Sequence, residues 1–396
     1  MALGFEAEIL RKITDNNNTV LTGDTKLVSH PWFRLVSDKV NAGNGQYSNM
    51  EYVVRHVDQL AGTDQNAADL VGERVAALML MNDELYAAQN QLVNLLTDPQ
   101  PGNQAIQFYI DPVYGNTGNL NVRNCPAAGV DQGLLHIHYT VGFAPAQWRA
   151  MLNGIAPATR PDSANVRSRT HLTNGIAVAD TIVNNTLNVA IGATGAQAAT
   201  VRTELRGHLA LLYMHAMVWI DRMLANQRND LQTAVPVNHA KLNQVLAQLP
   251  FGDGQVKNKI AALPRATLAQ MWGVLSAGSR QVLSGNVDPV LNALAAKVEN
   301  AHGIDFPDNY QLTSPTAGTT SLVTYITSGL NGQNGISQEV LFGGMNQTGV
   351  DNSIVGHPMV PFEFRALYNA HVTWGDLRAD VIRIARWSRD LTRSLV

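Results

Sequence analysis

The 396-residue chain sets 31 acidic against 28 basic side chains, a formal charge of -3, and only 15% of its residues are charged. That balance excludes a protein that coats nucleic acid or an anionic membrane, since both call for a strong basic excess. A single cysteine, Cys125, excludes an internal disulfide framework, while 45% apolar content is enough to bury the core of one large domain.

In chain order, the first run, Leu3-Gly4-Phe5-Glu6-Ala7-Glu8-Ile9, alternates strictly and predicts a half-buried strand. On it Glu6 and Glu8 share a face about 7 Å apart. Carboxylates that close repel unless a cation intervenes. A divalent metal is one remedy, and a solvated edge strand is the plain alternative. Residues 14–25 read as a turn-rich connection and 26–40 as one or two strands. Asn49-Met50-Glu51-Tyr52-Val53-Val54 is the next strand, with Glu51 facing away from Met50, Tyr52 and Val54. Residues 67–96 carry apolar side chains near helical spacing, Leu92 and Leu95 among them, and predict a long helix. Short strands are expected within 105–125. The run over 134–142 alternates again, with His136, His138 and Thr140 on one face and Ile137, Tyr139 and Val141 on the other. Two imidazoles at i and i+2 suit a metal site beside carboxylates.

Residues 145–152 predict a helix and 153–174 a polar loop, while 177–190 fits either helix or strand. The strongest helix spans 201–226, with Leu205, Leu209, Leu212, Ala216, Trp219 and Met223 on one stripe. His208 and His215 are read there as packing or solvated side chains. His215, Asp221 and Arg222 interrupt its apolar run too often for a bilayer span. Helices are expected over 241–249, 266–283 and 289–300. Lys257, Lys259 and Arg265 are candidates to meet an anion, with solvated side chains at a helix start as the plain alternative, and the Gly-Lys-Ser/Thr ending of a phosphate loop is missing. Residues 339–355 have the glycines and length of an active-site cover, and a plain surface connection is the more ordinary reading. Beyond them Phe362 and Phe364 alternate with Glu363 and Arg365. The chain closes on an amphipathic helix over 374–395, whose Arg378, Arg383, Arg386, Arg389 and Arg393 are expected to form a solvated rim.

Taken together, these strand-like runs put Glu6, Glu8, Glu51, His136, His138, Glu363 and Arg365 opposite their apolar faces. If the strands share a sheet, Mg²⁺ or Mn²⁺ would neutralise the crowded acids and Arg365 would face a phosphate.

The Glu-x-Glu opening strand, the acid at Glu51, the His136-x-His138 strand and the closing Glu363-x-Arg365 come in an order that resembles the glutamine synthetase/γ-glutamylcysteine synthetase superfamily of carboxylate–amine ligases, including the smaller amidoligases. The resemblance covers short islands between residues 3 and 367. It implies an α+β fold: a curved, mostly antiparallel sheet with a polar concave face, backed by long helices. It implies one catalytic domain over 1–396, with a helical insertion near 201–300. It also implies a reaction in which ATP phosphorylates a carboxylate and an amine displaces the phosphate. By the same resemblance Glu6, Glu8, Glu51, His136, His138 and Glu363 would hold metal. Arg365 and Glu363 would serve the chemistry, and Arg365, His136, Lys257 and Arg265 would contact the nucleotide. Pro361 departs from the pattern, standing where the larger synthetases place another phosphate-binding Arg. The substrates would be a small-molecule, peptide or protein carboxylate and an amine. No nucleic acid or membrane partner is expected, and oligomer formation is left open. The N-terminus shows no charged segment leading into an apolar one, so no secretory signal is expected and the reading is cytoplasmic, with signal-independent export left open. The alternative is a non-enzymatic particle component or translocated payload, suggested by low charge and abundant Asn and Gln.

Overall fold

The computed structural model describes residues 2–15, 21, 25–29, 32–38, 48–58, 71–79, 92–94, 109–110, 119–123, 134–156, 166–192, 195–226, 238–249, 261–306, 311–314, 318–333, 349–352, 356–365 and 372–393. It is an α+β fold that divides into two compact units, Met1–Val141 with Asn369–Asp390, and Gly142–Tyr368 with Leu391–Val396.

The first unit is built on an open antiparallel sheet. Its strands are β1 (Ala2–Asp15), β2 (Thr25–Ser29), β3 (Phe33–Asp38), β4 (Ser48–Asp58), β5 (Leu92–Asn94), β6 (Tyr109–Ile110), β7 (Asn119–Arg123) and β8 (Leu134–Phe143). The order is β6-β2-β3-β4-β1-β8, β7 also pairs with β1 and β5, and Val372–Thr373 pairs with β8. The period-2 pattern sorts the faces. Leu3, Phe5 and Ala7 of β1 are at most 3% exposed, as are Met50 and Tyr52 of β4, Phe33 and Leu35 of β3, and Tyr139 and Val141 of β8. Burying each large apolar side chain contributes about 1.5–3 kcal/mol. Phe33 meets Tyr52 edge-on at 5.9 Å. A helix over 71–79 (α1) buries Val71, Val75 and Leu78, and the C-terminal helix Trp374–Arg393 buries Leu377, Val381 and Ile384. Register shifts at Leu3/Phe5 and Ile9/Lys12 bracket a clean stretch in β1, from Phe5 opposite Val54 to Ile9 opposite Met50. The acids Glu6 and Glu8 lie inside it.

The second unit is mainly helical, with α2 (Pro145–Ile155), α3 (Val166–Thr181), a π-turn (Ile182–Thr186), α4 (Asn188–Ile191), α5 (Ala196–Asn226), α6 (His239–Gln248), α7 (Leu268–Gly273), α8 (Ala277–Ser284), α9 (Val287–His302) and α10 (Leu322–Asn331). The strands β9 (Leu263–Pro264) and β12 (Val360–Phe364) pair with each other, as do β10 (Gln311–Ser314) and β11 (Gly318–Ser321). Every residue of α5 from 207 to 224 is buried, so the predicted stripe understates it: that stretch of the helix is enclosed all round. Two glycines permit this. A Cβ on Gly207 would lie 2.7 Å from the Trp148 Cβ of α2, and one on Gly175 of α3 would lie 2.9 Å from the Ala210 carbonyl oxygen. Only hydrogen fits at these crossings. Side-chain caps from Asn238, Thr267, Ser276 and Ser321 open α6, α7, α8 and α10.

Three expectations are corrected. The polar loop over 153–174 ends at Val166, where α3 begins. Its buried positions, His171, Leu172, Gly175, Ala179 and Ile182, have helical spacing but too little hydrophobicity to announce it. The long helix over 67–96 does not hold at its end, because Leu92–Asn94 pairs with β7 as a strand. In the C-terminal helix Arg378, Arg383, Arg386 and Arg393 are exposed as expected, but Arg389 is buried at 4%. Among the described residues no helix is long and apolar enough to cross a membrane.

Candidate functional site

The clean register of β1 carries its chemistry. Glu8 stands opposite Glu51 of β4 on one side and opposite His136 of β8 on the other, and Glu6 stands opposite Val53 and His138. Residues directly opposed across an antiparallel pair share a face. Three of the runs singled out in the sequence are therefore neighbouring strands with their polar positions aligned. The pairing continues outward, with Val53 opposite Arg34 and Glu51 opposite Val36, which is itself opposite Lys26. Two transverse rows result: Lys26, Val36, Glu51, Glu8, His136, and Arg34, Val53, Glu6, His138. A cationic flank, an acidic centre and an imidazole flank follow one another across the sheet.

Glu6, Glu8 and Glu51 are half-buried, Lys26 and Arg34 are exposed, and His138 is only 3% exposed. His138 Nδ1 lies 3.9 Å from Glu6 Oε2, beyond hydrogen-bond range but close enough to attract when the ring is protonated. Glu8 and Glu51 are like charges at opposed positions, an arrangement that costs stability unless counter-charge is supplied. Carboxylate oxygens are the donors that hard divalent cations take. Among the described residues no group of three or more His, Cys, Asp or Glu side chains closes on a point where a metal ion would sit. Lys26 and Arg34 were not foreseen. The signal was the alternation Phe33-Arg34-Leu35, a basic side chain facing away from two buried ones.

Glu363 and Arg365 belong to the second unit. Glu363 is fully buried, its Oε2 accepts a hydrogen bond from Arg265 Nη1 at 2.6 Å, and its Oε1 accepts from Arg365 Nε. Both oxygens of this expected metal ligand are thus engaged by guanidiniums. Strand β12 places it, with Glu363 opposite Leu263 and the Arg265 amide donating to the Pro361 carbonyl at 2.8 Å. Arg265 and Arg365 keep 12% of their side chains exposed. Lys257 and Lys259 lie outside the described residues, as does most of the expected cover loop over 339–355.

A further polar cluster, on helices, was not anticipated. Because α5 is enclosed, its polar side chains must find partners inside the protein. His208 Nε2 lies 2.6 Å from the Gly329 carbonyl oxygen while its ring stacks on Trp148, and His215 Nε2 lies 2.9 Å from the Ala262 carbonyl oxygen. Burial pushes the pKa of each imidazole down to about 4, so both are neutral. Asp221 is the focus of the cluster. Its Oδ2 accepts from Arg167 Nε at 2.5 Å and contacts His171 Nε2 at 2.7 Å, and its Oδ1 accepts from Arg167 Nη2 at 2.6 Å and contacts His302 Nε2 at 2.9 Å. Burial alone would raise its pKa, but His171, His302 and Arg167 together hold it well below the usual carboxylate range. Burial outweighs Asp221 at His171 and lowers that imidazole's pKa.

No protein family, curated protein or solved structure matches this chain.

Proposed function

We propose that the chain is an ATP- and divalent-metal-dependent ligase that joins a carboxylate to an amine through an acyl phosphate. The observation that carries this reading is the register of β1, which sets Glu8 between Glu51 and His136 and Glu6 beside His138. In this reading Glu6, Glu8 and Glu51, aligned in register but not closed on one point, would turn their oxygens onto Mg²⁺ or Mn²⁺, and His136 or His138 would complete the set. An ion held there would supply charge stabilisation for phosphoryl transfer. The cationic flank at Lys26 and Arg34 suits the negative end of a nucleotide. Within the second unit, Glu363 fixes the orientation of the Arg365 guanidinium.

The test is phosphate release from Mg-ATP with paired panels of carboxylates and amines, the latter including amino acids, peptides and protein side chains. Release that needs both partners, and falls at least a hundredfold in Glu6→Ala/Glu8→Ala as expected for lost charge stabilisation, supports the reading. Full activity in that variant, or turnover without ATP, contradicts it.

A further inference from the structure

We propose that the cleft lined by α3, α6 and α9 of the helical unit binds a small polar anion, a phosphate ester or carboxylate that also carries a hydroxyl donor. The cleft has a volume of about 600 Å³, within the range of small-molecule sites. Arg167, Lys241 and Lys297 line it, and among the described residues no carboxylate does. Asp221 matches the charge of Arg167, but no ion pair among the described residues includes Lys241 or Lys297. Two ammoniums beside one cleft, with no counter-charge among the described residues, favour an anion there.

The second observation comes from the cleft's buried wall. The ring of His171 lines the cleft yet is only 2% exposed. Its Nε2 faces Asp221, and its Nδ1 is buried without a hydrogen-bond partner. Asp221 is ionised and can only accept, so the proton of the neutral ring sits on Nε2 and Nδ1 presents a lone pair. A buried acceptor left without a donor is costly, and a ligand hydroxyl would remove that cost. Val178, Met217 and Val245 give an apolar surface for a short carbon chain, and Asn174, Gln244 and Asn300 offer amides to further hydroxyls. The chemistry that fits has an anionic head toward the lysines, a hydroxyl toward His171 and a small carbon body between.

Isothermal titration of the full chain with glycerol 1-phosphate, glycerate, inorganic phosphate and glycerol tests this. Saturable binding is expected for glycerol 1-phosphate or glycerate, and the stronger of the two identifies the head group. Inorganic phosphate should bind more weakly and glycerol not at all. Lys241→Gln/Lys297→Gln should weaken binding about tenfold, the effect of two partly screened charges. Both lysines are exposed, so its melting temperature should not change. His171→Gln should erase the preference over inorganic phosphate, and the lysine variant decides the matter if that protein does not fold. Glu6→Ala/Glu8→Ala should leave this binding intact, which separates the site from the ligase reading. No saturable binding of either organic anion at millimolar concentration, affinity unchanged in the lysine variant, or equal affinity for inorganic phosphate overturns the proposal.

Discussion

Asp221→Asn should destabilise the helical unit by about 3–5 kcal/mol, the cost of removing one member of a buried charged pair. Both carboxylate oxygens are committed, to Arg167, His171 and His302, and the side chain is 4% exposed. Asparagine keeps the size but places an amide N–H₂ where a donor already points. It also leaves the Arg167 guanidinium, 16% exposed, without its counter-charge. For a unit of this size the loss corresponds to roughly 6–20 °C in melting temperature. Thermal unfolding of wild type and Asp221→Asn followed by circular dichroism checks it. A shift below about 2 °C would mean that the cluster is not a structural keystone, since surface substitutions already reach that size.

Acid should unfold the helical unit through the same enclosed helix. The folded-state pKa values of His208 and His215 are lowered from 6.5 to about 4, and that of His171 is lowered as well. A base with a lowered folded pKa takes up its proton more readily when unfolded. Its contribution is fully present above pH 6.5 and is lost as pH falls toward 4. Each of His208 and His215 is worth roughly 3 kcal/mol across that window. Asp221 acts in the same direction lower down: its depressed pKa gives stability above 3.8 that fades as pH falls toward its folded value. Urea denaturation at pH 7, 5.5 and 4.5 should show stability dropping steadily. His208→Gln can keep a hydrogen bond to the Gly329 carbonyl while removing one titrating group, and should flatten the slope by about one proton. A flat profile between pH 7 and 4.5 would contradict the burial of these rings as neutral groups.

The sheet was legible in the sequence because a period of two writes both faces into adjacent letters. Phe5 and Ala7 declare the core, and Glu6 and Glu8 between them declare the other side. The same logic located Glu51 and the His136-x-His138 strand. Register is not written that way, and the opposition of Glu8 to Glu51 follows from bulges placed on either side of the acids. The Asp221 cluster escaped notice for a different reason. Its members come from α3, α5 and α9, with 50 residues separating His171 from Asp221 and 81 separating Asp221 from His302. Each is a lone polar letter on an otherwise apolar or mixed stripe, and a lone letter signals nothing until helix packing supplies its partner. The start of α3 was missed because glycine and alanine do the packing against α5, and small residues carry little hydrophobic signal. Leu92 was misread as helical because a three-residue strand gives no period to count. Glu363 was expected on the face opposite Phe362 and Phe364, and all three are fully buried. Its partner Arg265, 98 residues away, was named only as a separate candidate.

Register brings Glu6, Glu8 and Glu51 to one face of the sheet, where the proposed ligase would hold a divalent ion. Mn²⁺ titration of the purified chain, followed by electron paramagnetic resonance of the free ion, tests it most directly. The account predicts saturable binding in wild type that weakens at least about tenfold in Glu8→Gln/Glu51→Gln, a loss of 1.4 kcal/mol or more. Mn²⁺ binding that is absent in wild type, or equal in the two proteins, would contradict it.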